Sequence, residues 1–239
     1  MKAPLDRVEP FEWSFLFVCL FAFVYVCRKN KRSMIKNIVF DLGGVLMELD
    51  RDRAVRRFEE IGVKDAEELI GMYGQKGIFL EIENGQIDLD TYCQKLSEHT
   101  GQPLTYEQIQ YAWMGFIVDV PQCLLDYLLE LRKTYNVYLL SNTNPIIQAW
   151  ARSEAFTPAG RPISAYFDKM YTSYEVGAIK PDRAIFDFMI KDTQLIPNET
   201  LFVDDGGGNI QIGRELGFQT YQPKNGEDWR EAVLAILDK

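Results

Sequence analysis

The stretch that decides the fold is IKNIVFDLGGVLM, residues 35–47. An apolar strand pattern from Lys36 to Phe40 leads directly into a carboxylate, Asp41, which is followed by Gly43 and Gly44. This pattern is typical of a buried parallel strand followed by a turn whose backbone amides can approach an anion closely. We therefore predict a central strand of an α/β sheet, with a ligand site just beyond its carboxyl end.

Short apolar strands alternate with helical patterns along the rest of the chain. The predicted strands are Ile38 to Phe40, Val137 to Leu140, Met170-Tyr171, Leu201 to Val203 and Thr220-Tyr221. Amphipathic patterns lie between them, such as the leucine stripe from Leu124 to Leu131 that follows Pro121. Strands separated by helices predict an α/β fold with a doubly wound, Rossmann-like parallel sheet and helices on both faces.

The interval between the first two strands is too long for an ordinary crossover and predicts an inserted subdomain. Its periodicity is helical in four segments, Ala54 to Ile61, Ala66 to Tyr73, Leu89 to His99 and Tyr106 to Phe116. We therefore predict three parts. These are an N-terminal extension (1–33), a Rossmann-like core (34–48 and 117–239) and an α-helical cap (49–116).

The N-terminal extension differs from the rest of the chain in composition. Its apolar run, residues 13–27, is shorter than the roughly 20 residues that span a bilayer, and the basic residues 28–32 follow it. Two interpretations stay open: the run is a membrane anchor, or Met34 is the true start. Acidic residues before the run and basic residues after it argue against a secretory signal peptide. If the run inserts into a membrane, the positive-inside rule places the basic residues that follow it on the cytoplasmic side. We expect the body to be cytoplasmic on both interpretations.

The charge balance bears on the kind of partner. The chain has 239 residues, of which 47% are hydrophobic and 26% charged, and its net charge is −9. Residues 1–33 carry +3, which leaves −12 for residues 34–239. Such a charge repels the phosphate backbone and argues against nucleic-acid binding. Four cysteines without a CxxC pair and a single histidine, His99, which we place on the surface, argue against zinc and Ser-His chemistry.

Polar residues follow the ends of the later strands as well. Ser141 and Asn142 follow the second strand, Lys180 lies in a loop, and Asp204 and Asp205 follow the fourth strand. The carboxyl ends of parallel strands meet at one edge, so we expect these groups to lie near the first carboxylate. Carboxylates gathered there need a cation, and an all-oxygen ligand set suits Mg²⁺. Together with a lysine and phosphate-binding donors, the set predicts phosphoryl transfer.

Four segments in order, FDLGGV (40–45), LLSNTN (139–144), GAIKPD (177–182) and LFVDDGGGN (201–209), resemble the motifs of the haloacid dehalogenase-like (HAD) hydrolase superfamily. The resemblance covers residues 34 to about 225. It is closest to the helical-cap phosphatases, in a branch that includes bacterial glucose-1-phosphatase and other sugar-phosphate phosphatases. It implies a magnesium-dependent phosphomonoesterase that acts on a small phosphorylated metabolite through an aspartyl-phosphate, and it favours a sugar phosphate over a nucleotide as the substrate.

The resemblance also implies three sets of site residues. The catalytic residues are the nucleophile Asp41 and Lys180, whose charge holds the nucleophile and the phosphoryl group together. The phosphate-binding residues are Gly43, Gly44, Ser141, Asn142 and Lys180. The magnesium-binding residues are Asp41, Gly43 through its carbonyl, Asp204 and Asp205.

Gly43 departs from the family pattern. Many phosphatases of the family have a second aspartate there, which protonates the leaving group and later activates water, a contribution of ~10²–10⁴-fold. Three explanations stay open. The substrate has a good leaving group, such as an anomeric phosphate; another acid, such as Glu48 or Asp50, takes the role; or the chain is a non-catalytic module that binds phosphate and magnesium.

We expect residues of the cap to select the substrate. The sequence of the cap contains few distinctive residues. Glu81 and Glu83 lie beside a predicted turn at Asn84-Gly85, and Trp113 and Phe116 form an aromatic pair. These four side chains are the candidates, although an aromatic pair at helical spacing is more often part of a core.

Overall fold

The central feature is a parallel sheet that is built from short, fully apolar strands. The computed structural model describes residues 35–71 and 74–238, and these belong to one compact unit. In chain order the strands are β1 (Asn37–Phe40), β2 (Glu48–Leu49), β3 (Ile117–Asp119), β4 (Asn136–Ser141), β5 (Lys169–Thr172), β6 (Thr200–Val203) and β7 (Gln219–Tyr221). Five of them form a parallel sheet in the order β5-β4-β1-β6-β7. The predicted α/β fold is confirmed.

Strand β1 lies at the centre of this sheet, and all four of its residues are buried. Phe40 pairs with Leu139 of β4 on one side and with Val203 of β6 on the other. The three strands therefore end at the same edge of the sheet. All five predicted strands are present, although β1 begins at Asn37 rather than at Lys36, whose backbone still bonds to Glu199.

The helices were expected on both faces of the sheet and are found there. They are α1 (Arg51–Glu60), α2 (Ala66–Leu69), α3 (Gly77–Glu83), α4 (Leu89–Thr100), α5 (Tyr106–Trp113), α6 (Gln122–Leu131), α7 (Pro145–Ala151), α8 (Ser173–Val176), α9 (Arg183–Thr193), α10 (Gly207–Leu216) and α11 (Arg230–Leu237). Phe40 packs in one core cluster with the leucine stripe of α6 and with Trp229. Val39, the preceding residue of β1, packs in another cluster with Phe186 of α9. Alternate residues of β1 thus face the two helical layers.

Helices α1 to α5 surround an aromatic cluster of their own. Phe58, Phe79, Tyr92 and Trp113 meet mainly edge to face, with ring centroids 4.9–6.4 Å apart. Such contacts add to the stabilisation that comes from burying the rings. The same cluster includes Ile146 and Ile147 of α7, so the helices 51–113 pack directly on the strand-bearing part of the chain.

Three details of this helical segment differ from the sequence predictions. Helix α2 ends at Leu69, because Ile70 turns away and forms a bridge with Gln75, and residues 72–73 lie outside the described part. Helix α5 ends at Trp113 and continues only as a 3₁₀ turn to Phe116. Helix α3 was not predicted. It lies between two glycine-containing breaks, is only seven residues long, and is stabilised by tertiary burial of Phe79 and Ile82.

Strands β2 and β3 form an antiparallel pair that the sequence did not predict. The pair is two to three residues long, too short to produce a periodic signal. It joins the two places where the chain leaves and re-enters the strand-bearing part. Asn225 further holds Leu49, because its side chain bonds both the N–H and the C=O of that residue. The division into core (34–48, 117–239) and cap (49–116) is consistent with this junction and stays a prediction.

The N-terminal extension (1–33), which contains the apolar run 13–27, lies outside the described residues, and so does Met34. Among the helices in the described ranges, none is both long and apolar enough to cross a membrane.

Candidate active site

Asp41 is the first residue beyond β1, at the sheet edge where β4 and β6 also end. Its Oδ1 accepts a hydrogen bond from the N–H of Leu42 at 2.7 Å and lies 2.9 Å from Lys180 Nζ. Its own N–H bonds the carbonyl of Val203 at 2.9 Å. The backbone and one carboxylate oxygen are thus fixed, which leaves Oδ2 for a ligand.

Lys180 is a fully buried ammonium group, with a side-chain exposure of 0%. Its Nζ lies 2.9 Å from Asp41 Oδ1 and donates to Asp204 Oδ2 and to the carbonyl of Leu140, both at 2.7 Å. The three N–H groups of the ammonium are therefore all used. The two flanking carboxylates hold the pKa of Lys180 above its usual value despite burial. Lys180 is permanently charged in this site.

Asn142 positions this lysine through the backbone. Its Oδ1 accepts from the N–H of Lys180 at 2.7 Å, and its Nδ2 donates to the carbonyl of Lys180 at 2.8 Å. The side chain of Asn142 is consequently committed to Lys180. If Asn142 binds phosphate, as predicted, only its backbone N–H is left for that role.

Asp204 and Asp205 complete a cluster of three carboxylates with Asp41. One oxygen from each lies within 4.8 Å of the others. Burial raises the pKa of Asp41 to about 7, where Lys180 opposes the shift and the other two carboxylates add to it. Burial and the charge of Asp204 raise the pKa of Asp205 to about 6. The cluster therefore holds more negative charge than Lys180 balances, and it favours a bound cation.

Gly44 allows Asp205 to reach the cluster. Its φ is +73°, and a Cβ at this position would lie 2.2 Å from Asp205 Oδ2. Real Cβ atoms do not approach an oxygen this closely, so any other residue would displace the carboxylate. The glycine predicted here for an anion-binding turn is thus also required by the neighbouring carboxylate.

A side chain at Gly43 would press on the side chain of Leu49. A Cβ there would lie 2.8 Å from Leu49 Cδ1, and Leu49 is held by Asn225. The two substitute acids suggested by the sequence lie elsewhere. Glu48 is exposed, and Asp50 caps helix α1 by accepting from the N–H of Arg53 at 2.9 Å. Neither side chain lines the cavity described next.

A cavity of about 140 Å³ lies between the sheet edge and the helical segment. From the strand-bearing part it is lined by Asp41, Gly43, Ser141, Asn142, Lys180 and Asp205. From the helical segment it is lined by Gln75, Glu83, Trp113 and Phe116. Asp204 and Gly44 lie behind this wall and shape it indirectly. Of the four candidates for substrate selection, only Glu81 faces away, in an ion pair with Lys95 at 2.6 Å.

Comparison with known proteins agrees with this geometry. The sequence model of the haloacid dehalogenase-like hydrolase family matches residues 35–217. The chain is a member of the HAD-like hydrolase family. A D-ribitol-5-phosphate phosphatase from Bacteroides thetaiotaomicron is 52% identical over 205 residues, which are 86% of this chain and 100% of that enzyme. The family resemblance that the four motifs indicated is confirmed.

Solved structures of HAD-like hydrolases superpose closely on the chain. One from Porphyromonas gingivalis has a TM-score of 0.83 and 44% identity, and covers 86% of this chain and 99% of its own. A HAD family enzyme from B. thetaiotaomicron in complex with magnesium and inorganic phosphate has a TM-score of 0.77 and 42% identity, and covers 83% and 98%. An L-2-haloacid dehalogenase from Xanthobacter autotrophicus, at 20% identity and a TM-score of 0.51, shares the fold alone.

Glu83 is the unexpected feature of this HAD-like site. It is the last residue of α3, is 6% exposed, and lies beside the side chain of Asn144, which lowers the pKa of Glu83 against the effect of burial. Burial raises the pKa of Glu83 to about 8. Its position was not predictable, because α3 gave no clear pattern and the contact with Asn144 spans the two parts of the chain. Gln75 was missed as well, and its buried Oε1 has no hydrogen-bond partner among residues 35–71 and 74–238.

The buried carboxyl of Glu83 should make stability depend on pH. Its pKa is higher in the folded chain than in the unfolded chain, so its stabilising contribution is complete below the unfolded pKa and is lost as the pH rises towards about 8. Between about pH 5 and pH 8 we expect the wild type to lose at least about 1 kcal/mol more unfolding free energy than Glu83→Gln. Urea unfolding of both proteins at the two pH values measures this difference. Equal losses would mean that Glu83 is ionised in the folded chain.

Proposed function

We propose that this HAD-like hydrolase is a magnesium-dependent phosphomonoesterase that acts on a small sugar or polyol phosphate through an aspartyl-phosphate on Asp41. The observation that carries the proposal is the contact between Lys180 and both Asp41 and Asp204, at the wall of a cavity that Ser141 also lines. The site offers a fixed carboxylate nucleophile, a buried cation and phosphate-binding donors in one place.

The residues present fit a magnesium ion. Three carboxylates and one ammonium leave a net charge of about −2, which a divalent cation offsets. All the donors are oxygens, as Mg²⁺ prefers, and no histidine or cysteine lines the described part of the cavity. We assign the ion to Asp41, Asp204 and Asp205 together with the carbonyl of Gly43. When bound, it neutralises negative charge on the phosphate oxygens.

The protein side chains have separate roles in the first half of the reaction. Lys180 lowers the pKa of Asp41 against the effect of burial and, with the N–H of Leu42, holds Oδ1 away from the substrate. Asp41 Oδ2 attacks phosphorus, and the bond between phosphorus and the leaving oxygen breaks. Ser141 and the backbone amides after β1 and β4 hold the other phosphate oxygens. In the second half, water attacks the aspartyl-phosphate, releases inorganic phosphate and restores Asp41.

The cavity wall favours a short polyhydroxylated substrate. Trp113 and Phe116 stack with centroids 5.7 Å apart and offer an apolar surface, while Glu83 and Gln75 offer hydrogen-bonding groups beside it. The similarity to a D-ribitol-5-phosphate phosphatase supports the same class of substrate. The predicted cytoplasmic location is consistent with such a metabolite and stays a prediction.

The test is release of inorganic phosphate from D-ribitol 5-phosphate, glucose 1-phosphate and adenosine monophosphate, with Mg²⁺ and after its removal by a chelator. We expect the polyol or sugar phosphate to be hydrolysed fastest and the activity to require Mg²⁺. Folded protein that binds Mg²⁺ but releases no phosphate from any of these would favour the non-catalytic binding module instead.

Gly44→Ala should weaken magnesium binding, because the new Cβ would push Asp205 out of the cluster. Gly101→Ala is the matched control, since Gly101 has a similar φ of +71° and no atom within 4 Å of the new Cβ. Both variants carry the backbone strain of about 1–2 kcal/mol. Only Gly44→Ala should also raise the Mg²⁺ concentration for half-maximal activity, by at least about tenfold. Equal Mg²⁺ requirements in the two variants would remove Asp205 from the proposed ligand set.

A further inference from the structure

We propose that Glu83 is the general acid and base of the reaction and takes the role for which Gly43 has no side chain. The inference rests on the phosphatase function proposed above. It concerns the leaving-group oxygen, which must gain a proton when its bond to phosphorus breaks.

The first argument is elimination among the groups that line the cavity. In the described ranges the lining carboxyl groups are those of Asp41, Asp205 and Glu83. Asp41 is the nucleophile, and Asp205 belongs to the proposed ion site. The ammonium of Lys180 has already used its three N–H groups. Of these three acids, Glu83 is therefore the one without another assigned role.

The second argument is the way the site is closed around Gly43. Leu49 occupies the space into which a side chain at residue 43 would project, and the side chain of Asn225 fixes Leu49 on both backbone groups. Residue 43 therefore supplies no side-chain proton donor from the β1 turn, whereas Glu83 lines the opposite wall of the cavity.

The third argument is that Glu83 is held in place from the strand-bearing part. Asn144 Oδ1 accepts from the N–H groups of Ile146 and Ile147 at 3.0 and 3.1 Å and so caps α7. With Oδ1 held in this way, the Nδ2 group of Asn144 is the part of the side chain that can interact with Glu83. The turn after α3 is fixed too, because Gly85 packs so closely on the carbonyl of Tyr174 that a Cβ would lie 2.3 Å from it.

These contacts give Glu83 the properties of an acid. Glu83 lines the cavity, and the side chain of Asn144 lies beside its carboxyl group. Burial keeps the group protonated at neutral pH, because its pKa is raised to about 8. A neutral carboxyl group is what a departing alkoxide requires.

The proton balance closes over the two halves of the reaction. Asp41 Oδ2 forms its bond to phosphorus as the bond to the leaving oxygen breaks, and the Glu83 proton passes to that oxygen, which leaves as an alcohol. The Glu83 carboxylate then removes a proton from water, whose oxygen attacks the phosphorus of the aspartyl-phosphate. Asp41 and protonated Glu83 are restored.

The leaving group provides the test, because protonation matters most when the leaving oxygen is a poor one. We would measure kcat and KM of the wild type, Glu83→Gln and Glu81→Gln with D-ribitol 5-phosphate and with p-nitrophenyl phosphate. We compare kcat/KM, because it reports the steps up to formation of the aspartyl-phosphate, whereas kcat also contains the hydrolysis step in which Glu83 is the base for both substrates. For Glu83→Gln we expect kcat/KM to fall ~10²–10⁴-fold with ribitol 5-phosphate, because its ribitol oxygen is a poor leaving group unless it is protonated. With the phenolate leaving group we expect a fall of less than about tenfold. Glu81→Gln, on the same helix but outside the cavity, should match the wild type.

Each other outcome overturns the assignment. Equal losses of kcat/KM on both substrates would make Glu83 a structural or positioning residue, and a raised KM at unchanged kcat would make it a substrate-binding residue. If Glu83→Gln does not fold, Glu83→Ala carries the same expectation. If the wild type hydrolyses the substrates and Glu83→Gln gives either of these results, only the role of Glu83 is refuted, and the phosphatase function stands. A wild type that hydrolyses neither substrate would refute the phosphatase function itself, and the inference with it.

Discussion

Asp41→Asn is expected to abolish phosphate release, with kcat below about one ten-thousandth of the wild-type value. The amide is nearly isosteric with the carboxylate but has no negative charge to attack phosphorus. The fold should be unaffected, because the N–H of Leu42 can still bond Oδ1 of the new side chain. Steady-state phosphate release and thermal unfolding, measured on the same preparations, check both parts. An Asp41→Asn protein that keeps a tenth of the activity would exclude Asp41 as the nucleophile.

Lys180→Met is expected to cost both activity and stability. The lysine is fully buried between Asp41 and Asp204, so its removal leaves two buried carboxylates without their counter-charge. Breaking a buried pair in this way costs about 3–5 kcal/mol. Urea unfolding without Mg²⁺ measures the loss. Phosphate release should fall with it, since without Lys180 the pKa of Asp41 rises further and less of the nucleophile is ionised.

Lys95→Met is the matched control for this variant. Lys95 pairs with Glu81 at a similar distance, 2.6 Å, but both side chains are at least one-third exposed. Removal of an exposed pair costs less than about 1 kcal/mol. If Lys180→Met lost no more stability than Lys95→Met, the buried cluster would not be held together by the lysine.

Much of the strand-bearing part could be predicted from the sequence, for a physical reason. Buried parallel strands are continuous apolar runs, and their carboxyl ends must meet at one edge. Residues next to these ends, such as Asp41, Ser141 and Asp205, were therefore brought together by topology alone. Their distances to Lys180 were not predictable, because they depend on how the loop that carries the lysine folds back.

The opposite wall of the cavity was less accessible to sequence reasoning. Helix α3 is a single short element whose apolar residues gain stability only from packing against the rest of the segment. The position of Glu83 depends on its contact with Asn144, which is remote in sequence. Leu49 closes the space beside Gly43 only because a two-residue strand and Asn225 hold it there. Such contacts between distant residues leave no periodic signal in the chain.

The phosphatase account depends most directly on a phosphoryl group that is carried by Asp41. We would mix the protein with D-ribitol 5-phosphate and Mg²⁺, quench the reaction in acid within milliseconds, and analyse the peptides by mass spectrometry. The account predicts the added mass of one phosphoryl group on the peptide that contains Asp41, and its absence in Asp41→Asn. A phosphoryl group on Ser141, the hydroxyl that lines the same cavity, with Asp41 unmodified, would contradict it.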